Sequence, residues 1–524
     1  MSGTVHSPAM KYRSMLTARQ TGNALDARTR RPTNKNANHE DWRLAKHVLG
    51  GPGRNRTTDT RIFNPLLYRL SYQAKRHDYR QRQPSLQVRL TTSCKNTGAG
   101  QENRGLSSRY NGLMNSPISL PSTSGARRDT DICIVGNGAI AKTAALGLAQ
   151  AGHRVTLLTP PGTAMAPAAQ VSGEQPWDVR VYALNHTAHK LLSSLKVWGA
   201  LDGARVCPVE SMVVNGDGQH PGDLAFDAFG AHVGALAWIV EDRNLNQALD
   251  AALRFAPHID IVQGRAQSLA ATVDGASVTL DDGAVIACRL IVGADGGQSW
   301  VRGQCDIGLD YRPYHQKAVV TNFSCELPHH GAALQWFTGQ EGIVALLPLP
   351  GNRVSLVWSA PDALAATLMN ETLSEMAVRL AVLCEGRLGA LRPLLPEAVK
   401  DLPLALIRPH SMVAPRVALI GDAAHVVHPL AGHGMNLGFA DVAELLTTLA
   451  AREAHRDVGD ERVLARYARA RREDVLLMQA ATDGLARLFG ADLEPLRVAR
   501  NLGLNLLNKL PMLKRRMMAH AMGK

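Results

Sequence analysis

Cysteine is scarce and scattered. Seven residues (94, 133, 207, 288, 305, 325 and 384) stand far apart in a chain of 524, with no Cys-x-x-Cys pair. That argues against a zinc site or a disulfide scaffold, reads the thiols as small core fillers and fits a reducing compartment. His425 and His428 are three apart but join no carboxylate or cysteine in a known ligand spacing. They read as ordering the loop before Pro429, not as metal ligands. No Gly-x-Ser-x-Gly elbow is present, so Ser-His-Asp hydrolysis has no support. No uninterrupted apolar run approaches the roughly 18 residues of a membrane span. What is present, 45% apolar and 20% charged residues, is the composition of a globular protein.

The formal charge of +13 suggests a polyanion partner until the chain is divided. Residues 1–113 hold 21 Lys+Arg against 6 Asp+Glu, and the remainder holds 37 against 39. The basicity therefore belongs to a leader, which is also poor in apolar residues and lacks a period of 2 or 3.6. Such a segment buries too little apolar surface to offset its ordering entropy. Three readings stand: a basic arm for nucleic acid, an organelle transit peptide, or translation from an upstream start, with Met114 the alternative. The first lacks a motif, and Trp42, Phe63, Tyr68 and Tyr72 form no stacking pattern. The last is preferred, with 1–128 expected to be disordered and no nucleic-acid partner expected.

Order begins at Asp131. The run DICIV (131–135) reads as a buried strand, followed by GNGAIA (136–141), a helix, and a second strand RVTLL (154–158). This is a G-x-G-x-x-G/A turn in βαβ context. Gly136 permits the tight turn, Gly138 lets backbone approach a pyrophosphate, and Ala141 lets helix and strand pack closely. One part departs from the pattern. The acidic residue expected at the end of the second strand, to hold a ribose hydroxyl, is replaced by Thr159.

Two further segments have the same form. LIVGADGGQSWVR (290–302) places Asp295, Gly296 and Gly297 between a strand and a helix that Ser299 caps. RVALIGDAAHVVHPLAGHGMNLGFADV (416–442) runs from a buried strand through Asp422 to a helix expected near Met435. Its glycines 432, 434 and 438 let backbone donors approach an electron-rich group at that helix N-terminus.

In this order, the three motifs resemble those of the class A flavin-dependent aromatic hydroxylases. The wording GDAAHVVHPLAGHGMNLGFADV is similar to the ubiquinone-biosynthesis branch of that family, and the likeness extends over about 131–523. The resemblance implies an FAD-dependent monooxygenase. It would use NAD(P)H or another electron donor, and O₂, to hydroxylate a hydrophobic phenol through a flavin C4a-hydroperoxide. A polyprenylphenol intermediate of ubiquinone biosynthesis is the first substrate reading and a small soluble aromatic the alternative. A nucleic-acid-binding protein acting through the leader is a third.

Position by position, the resemblance implies that Gly136, Gly138 and Ala141 form the cradle for the FAD diphosphate. It implies that Arg180 reaches the cofactor from a helix after the second strand, and that Asp295 supports the turn beside the pyrophosphate. Asp422 would accept from a ribityl hydroxyl, and the backbone around Gly432, Gly434, Met435 and Asn436 would face the flavin pyrimidine edge. No catalytic base is identifiable.

The expected fold is α/β. A Rossmann-like FAD-binding domain is assembled from 129–205, 285–310 and 400–450, and a mainly antiparallel substrate domain from 206–284 and 311–399. Helices of 451–524 close the molecule. The Leu/Met-rich stretch 501–524, with Lys509, Lys514, Arg515 and Arg516, has two readings: packing on the core with a solvated basic face, or peripheral docking on a membrane or a ubiquinone-biosynthesis complex. The expected location is the cytoplasm, with the inner-membrane surface as the site of any docking.

His433 stands where the resemblance places a glutamine. A titratable side chain beside the flavin makes reduction pH-dependent. The His433→Gln variant is expected to flatten the pH profile of flavin reduction, followed by stopped-flow absorbance; an unchanged profile would remove this role.

Overall fold

The computed structural model describes residues 126–163, 175–217, 221–395, 398–490 and 494–523. The leader of 1–113, and residues 114–125 after it, lie outside the described residues. The organising layer is a six-stranded sheet in the order Val413–Ala414, Val417–Leu419, Leu290–Gly293, Ile132–Val135, Val155–Thr159, Ile259–Gln263. All neighbours are parallel except the first pair. Parallel strands are covered on both faces, which explains why these runs are continuously apolar. Alternation still assigns the faces. Ile132 and Ile134 pack with the helices Ala139–Gln150, Asp242–Arg254 and His433–Ala450. Cys133 and Val135 pack against the strands Ala276–Leu280 and Val285–Cys288 on the other side.

The second layer is an eight-stranded, mainly antiparallel sheet: Leu391–Pro393, Leu309–Cys325, Arg353–Pro361, Gly342–Leu349, Ala332–Thr338, Ser211–Asn215 and Asp223–Asp227 in order, with Lys400–Pro409 also paired to the long second strand. Its own core gathers Phe323, Val344, Leu356 and Trp358 under the helices Asp362–Asn370 and Leu373–Leu383. Helices Glu461–Gly490, Glu494–Asn508 and Pro511–Ala521 complete the described chain.

Two segments lie differently from the sequence expectation. Ile259–Gln263, assigned to the antiparallel insert with the rest of 206–284, pairs in parallel with Val155–Thr159. The helix Asp242–Arg254 that precedes it buries Leu245, Leu249 and Leu253 against the parallel layer, and so serves as its crossover connection. Lys400–Pro409, assigned to the flavin-side segment 400–450, pairs instead with Leu309–Cys325. Its register shifts between Pro313 and Lys317, where His315 adopts φ 54°, so one long bent strand serves both halves of the ladder.

The six described cysteines are free thiols, five of them buried; Cys94 lies outside the described residues. Burial pushes the Cys288 and Cys384 thiols up to about 12, which keeps them protonated fillers of the core.

Candidate active site

The three sequence motifs leave the carboxyl ends of adjacent parallel strands, where ligands of open α/β sheets bind. They touch one another through missing side chains. Gly136 has φ 138°, and a Cβ there would lie 2.3 Å from the Ala294 carbonyl oxygen, so the first and second loops approach at a distance only glycine permits. Ile140, two residues beyond Gly138, fills the space at the third: a Cβ on Gly438 would lie 2.9 Å from its Cδ1. Ala141 is fully buried between helix and sheet.

Gly138 is the N-cap of Ala139–Gln150 and, having no side chain, supplies no capping bond of its own. A Cβ at Gly138 would meet nothing within 4 Å. The result is an uncapped helix terminus facing open space, the arrangement that receives a phosphate. Thr159 does not extend this cradle: its hydroxyl donates to the Val262 carbonyl at 3.4 Å.

Asp295 turns its carboxylate onto its own loop, accepting from Ser299 Oγ at 2.6 Å and from the Val301 amide at 3.0 Å. Ser299 in turn caps Trp300–Gln304 by accepting from the Arg302 amide. Buried Arg302 then joins two loops, donating to the Gly297 carbonyl at 2.7 Å and the Ala423 carbonyl at 3.0 Å. Sequence reasoning assigned Arg302 no role.

Asp422 is exposed, yet the surrounding protein desolvates its carboxyl and raises its pKa, while the charges of His425 and Arg180 pull it back. It is an accessible carboxylate in a walled recess. Arg180 reaches this recess from an extended segment just ahead of the strand Val181–Leu184, not from a helix as expected. Its guanidinium stands 5.6 Å from the Tyr182 ring centre.

Beneath this loop, Asp441 is fully buried and saturated. Its Oδ2 accepts from the Gly421 amide at 2.9 Å and from His425 Nε2 at 2.7 Å, and its Oδ1 accepts from Arg471 Nε at 2.8 Å. Burial pushes this carboxyl up, but His425 and Arg471 together outweigh it and hold it below the usual range. Sequence reasoning missed Asp441; the signal was a carboxylate on the same helix as Leu437, Phe439, Val442 and Leu445, all buried.

The third loop closes on Gly432, which takes a left-handed conformation (φ 67°) and caps His433–Ala450 two residues earlier than expected. Gly434 faces open space and Met435 packs against the helical core. Asn436 spends its side chain on the protein: Nδ2 donates to the Ala183 carbonyl at 2.8 Å, and Oδ1 accepts from the Asn185 amide at 2.9 Å. His428, also fully buried, pairs Nε2 with Gln316 Oε1 at 3.0 Å and packs edge-on to Tyr314, tying the loop to the large sheet. A half-open cavity of about 400 Å³ runs beside His433, Leu437 and Glu444, lined also by Arg471 and Met478; it flanks the helix without including Asp422 or Gly138.

An uncapped helix end, an accessible carboxylate and open glycines fit a dinucleotide with a polyhydroxylated linker, and this describes a flavin site of the FAD-dependent monooxygenase class. The family model for an FAD binding domain matches residues 244–481. The fold is shared with Klebsiella pneumoniae HpxO complexed with FAD and uric acid, at TM-score 0.57 and 17% identity, covering 74% of this chain and 97% of that one. The chain is 36% identical over 412 residues to ubiquinone hydroxylase UbiL of Rhodospirillum rubrum, covering 77% of this chain and 92% of the relative. It is 35% identical over 397 residues to 3-demethoxyubiquinol 3-hydroxylase of Escherichia coli, covering 75% and 98%. The chain belongs to this family of FAD-dependent hydroxylases, and FAD is its cofactor.

Two measurements probe the loop supports. Replacing Asp441 with Ala removes the buried carboxylate shared by Arg471 and His425 and leaves Arg471 only the half-exposed carboxylate of Asp474, at 2.9 Å; breaking a buried pair of this kind costs about 3–5 kcal/mol. Denaturant unfolding is expected to show this loss, and flavin absorbance a fall in bound FAD; a variant with wild-type stability and FAD content would contradict it. Burial lowers the His428 pKa to about 4, against 6.5 for a free imidazole. The folded state therefore holds His428 neutral while the unfolded state takes up a proton. Its stability contribution is complete above pH 6.5 and drains away as pH falls toward about 4. His428→Gln is expected to flatten the stability curve across that window in urea titrations.

Proposed function

We propose that this enzyme hydroxylates the ring of a polyprenylphenol intermediate of ubiquinone biosynthesis, with O₂ and an NAD(P)H-class electron donor. The observation that carries the reading is the convergence of the three loops on one recess in a chain matching two ubiquinone-pathway hydroxylases over nearly their whole length. Bound FAD supplies the redox and oxygen chemistry.

The chain's own groups bind and orient. Backbone donors at Gly138 and the first turn of its helix would take the diphosphate, while Gly136, whose own amide donates to the Leu158 carbonyl at 3.0 Å, shapes the turn; Ala141 holds helix to strand, and Asp295 keeps its loop in register beside them. Asp422 would accept from a ribityl hydroxyl; desolvation raises its carboxyl, and the charges of His425 and Arg180 offset part of that rise. The amides from His433 to Asn436, at a helix N-terminus that Gly432 caps, would face the pyrimidine edge and favour negative charge there. Gln316 and Tyr314, through His428, hold this loop against the large sheet. A polyprenyl chain on the substrate also suits peripheral association with a membrane or a biosynthetic assembly. Among the described residues no helix is long and apolar enough to cross a membrane.

The test is the visible spectrum of the purified protein before and after NAD(P)H without oxygen, followed by turnover of polyprenylphenols and small soluble phenols. A flavin spectrum that bleaches, with turnover favouring the prenylated ring, is the expected result. Preference for the small phenol would overturn the substrate, and a folded protein that takes up no FAD would overturn the site.

A further inference from the structure

The helix Glu494–Asn508 divides its polar and apolar residues in an unusual way. Its inner face is held to the edge of the large sheet by a polar ladder. Asn501 Nδ2 donates to the Asp217 carbonyl at 2.6 Å, the Asp223 amide donates to Asn505 Oδ1 at 2.9 Å, and Asn508 Nδ2 donates to Asp223 Oδ2 at 3.0 Å. The approach is close enough that a Cβ on Gly222 would lie 2.5 Å from the Asn501 carbonyl oxygen. Leu504 and Leu507 enter the apolar cluster of Leu224, Phe337, Ile343 and Leu430. The helix is thus anchored, and its inner side is fully used.

Its outer side is apolar and uncovered. Val498, Leu502 and Leu506 follow one another at helical spacing and are 59%, 66% and 57% exposed; Leu510 and Met512 continue the surface into the next helix, Met512 at 85%. Contiguous exposed apolar side chains of this kind mark an interaction surface. The charge carried by the segment itself has one sign: residues 495–524 contain seven Lys+Arg and no Asp or Glu, with Lys509, Arg515 and Arg516 exposed, while the carboxylates that meet it, Asp217 and Asp223, are those of the inner polar ladder.

We infer that the face formed by Val498, Leu502, Leu506, Leu510 and Met512, with Lys509, Arg515 and Arg516 around it, docks on an anionic lipid surface. Apolar side chains that enter the headgroup boundary beside cations that meet its phosphates are the two terms of interfacial binding. This inference rests on the polyprenylphenol reading. The cluster beneath the docking face leads inward from Leu504 and Leu507 to Leu430, in the loop between Asp422 and His433. The lipid-facing helix and the loop that carries Asp422 and His433 thus share one apolar cluster.

The experiment is flotation of the full-length holoenzyme with phosphatidylcholine vesicles, with and without phosphatidylglycerol, reading both protein and flavin absorbance in each fraction. The wild type is expected to float with the anionic vesicles, at least about tenfold more than with phosphatidylcholine alone, and to be released by salt. The pair Leu502→Gln and Leu506→Gln, and separately the set Lys509→Gln, Arg515→Gln and Arg516→Gln, are each expected to abolish flotation while flavin absorbance stays unchanged. A wild type that stays in solution with both vesicles overturns the inference. So does flotation indifferent to both variants, or a soluble oligomer, by gel filtration, that either variant dissociates. Because flavin is read in the same fractions, loss of the docking surface and loss of the flavin site give separate signatures.

Discussion

The arrangement of the site depends on a single buried carboxylate. Asp441 accepts from a backbone amide in the Gly-Asp loop, an imidazole in the same loop and a guanidinium from the long helix Glu461–Gly490. Removing a charge from water is costly, and the cost is met only because every partner is present. The consequence is specificity of position. Gly421, and with it Asp422, is fixed relative to two helices by the same group, so the recess forms in one geometry.

The remaining contacts between the loops are made where side chains are small or absent. Gly136 against Ala294, and Gly438 against Ile140, bring backbone to within van der Waals distance of a neighbouring loop. Arg302 and Asn436 then bond the loops to their surroundings through carbonyls and amides. The side chains that do the joining are consumed by the protein, and the donors left for a cofactor are backbone groups at helix ends. A flavin needs such a division, since its phosphates and pyrimidine edge are recognised by N–H groups held rigidly and not by mobile side chains.

Much of this was readable from the residues. Strand, glycine turn and helix repeat three times with distinctive wording, because the positive φ at Gly136 and Gly432, and the close approach of Gly136 to the Ala294 carbonyl, call for glycine. Ser299 is legible as a cap for the same local reason. What escaped were contacts between positions far apart in sequence. Asp441 reads as one polar residue in an apolar helix until Gly421 and Arg471 are seen around it, and nothing local to its motif gives Arg302 a role until the Ala423 carbonyl is brought beside it. Ile259–Gln263 was misplaced because a strand of five residues carries the same alternation in either sheet, and only its crossover helix decides. The helical placement of Arg180 failed because the strand Val181–Leu184 follows it directly.

The order of strands in the parallel sheet has a consequence for how the molecule is made. Ile132–Val135 lies at the centre, yet its neighbour Leu290–Gly293 and the strand beyond it, Val417–Leu419, emerge far later during synthesis. The glycine turn at 136 is therefore complete long before the loops that press against it exist. Until residue 419 has left the ribosome, one edge of an apolar parallel sheet stays open, a slow and aggregation-exposed stage of folding. The exposure of this chain to aggregation during synthesis thus lasts until Val417–Leu419 has emerged.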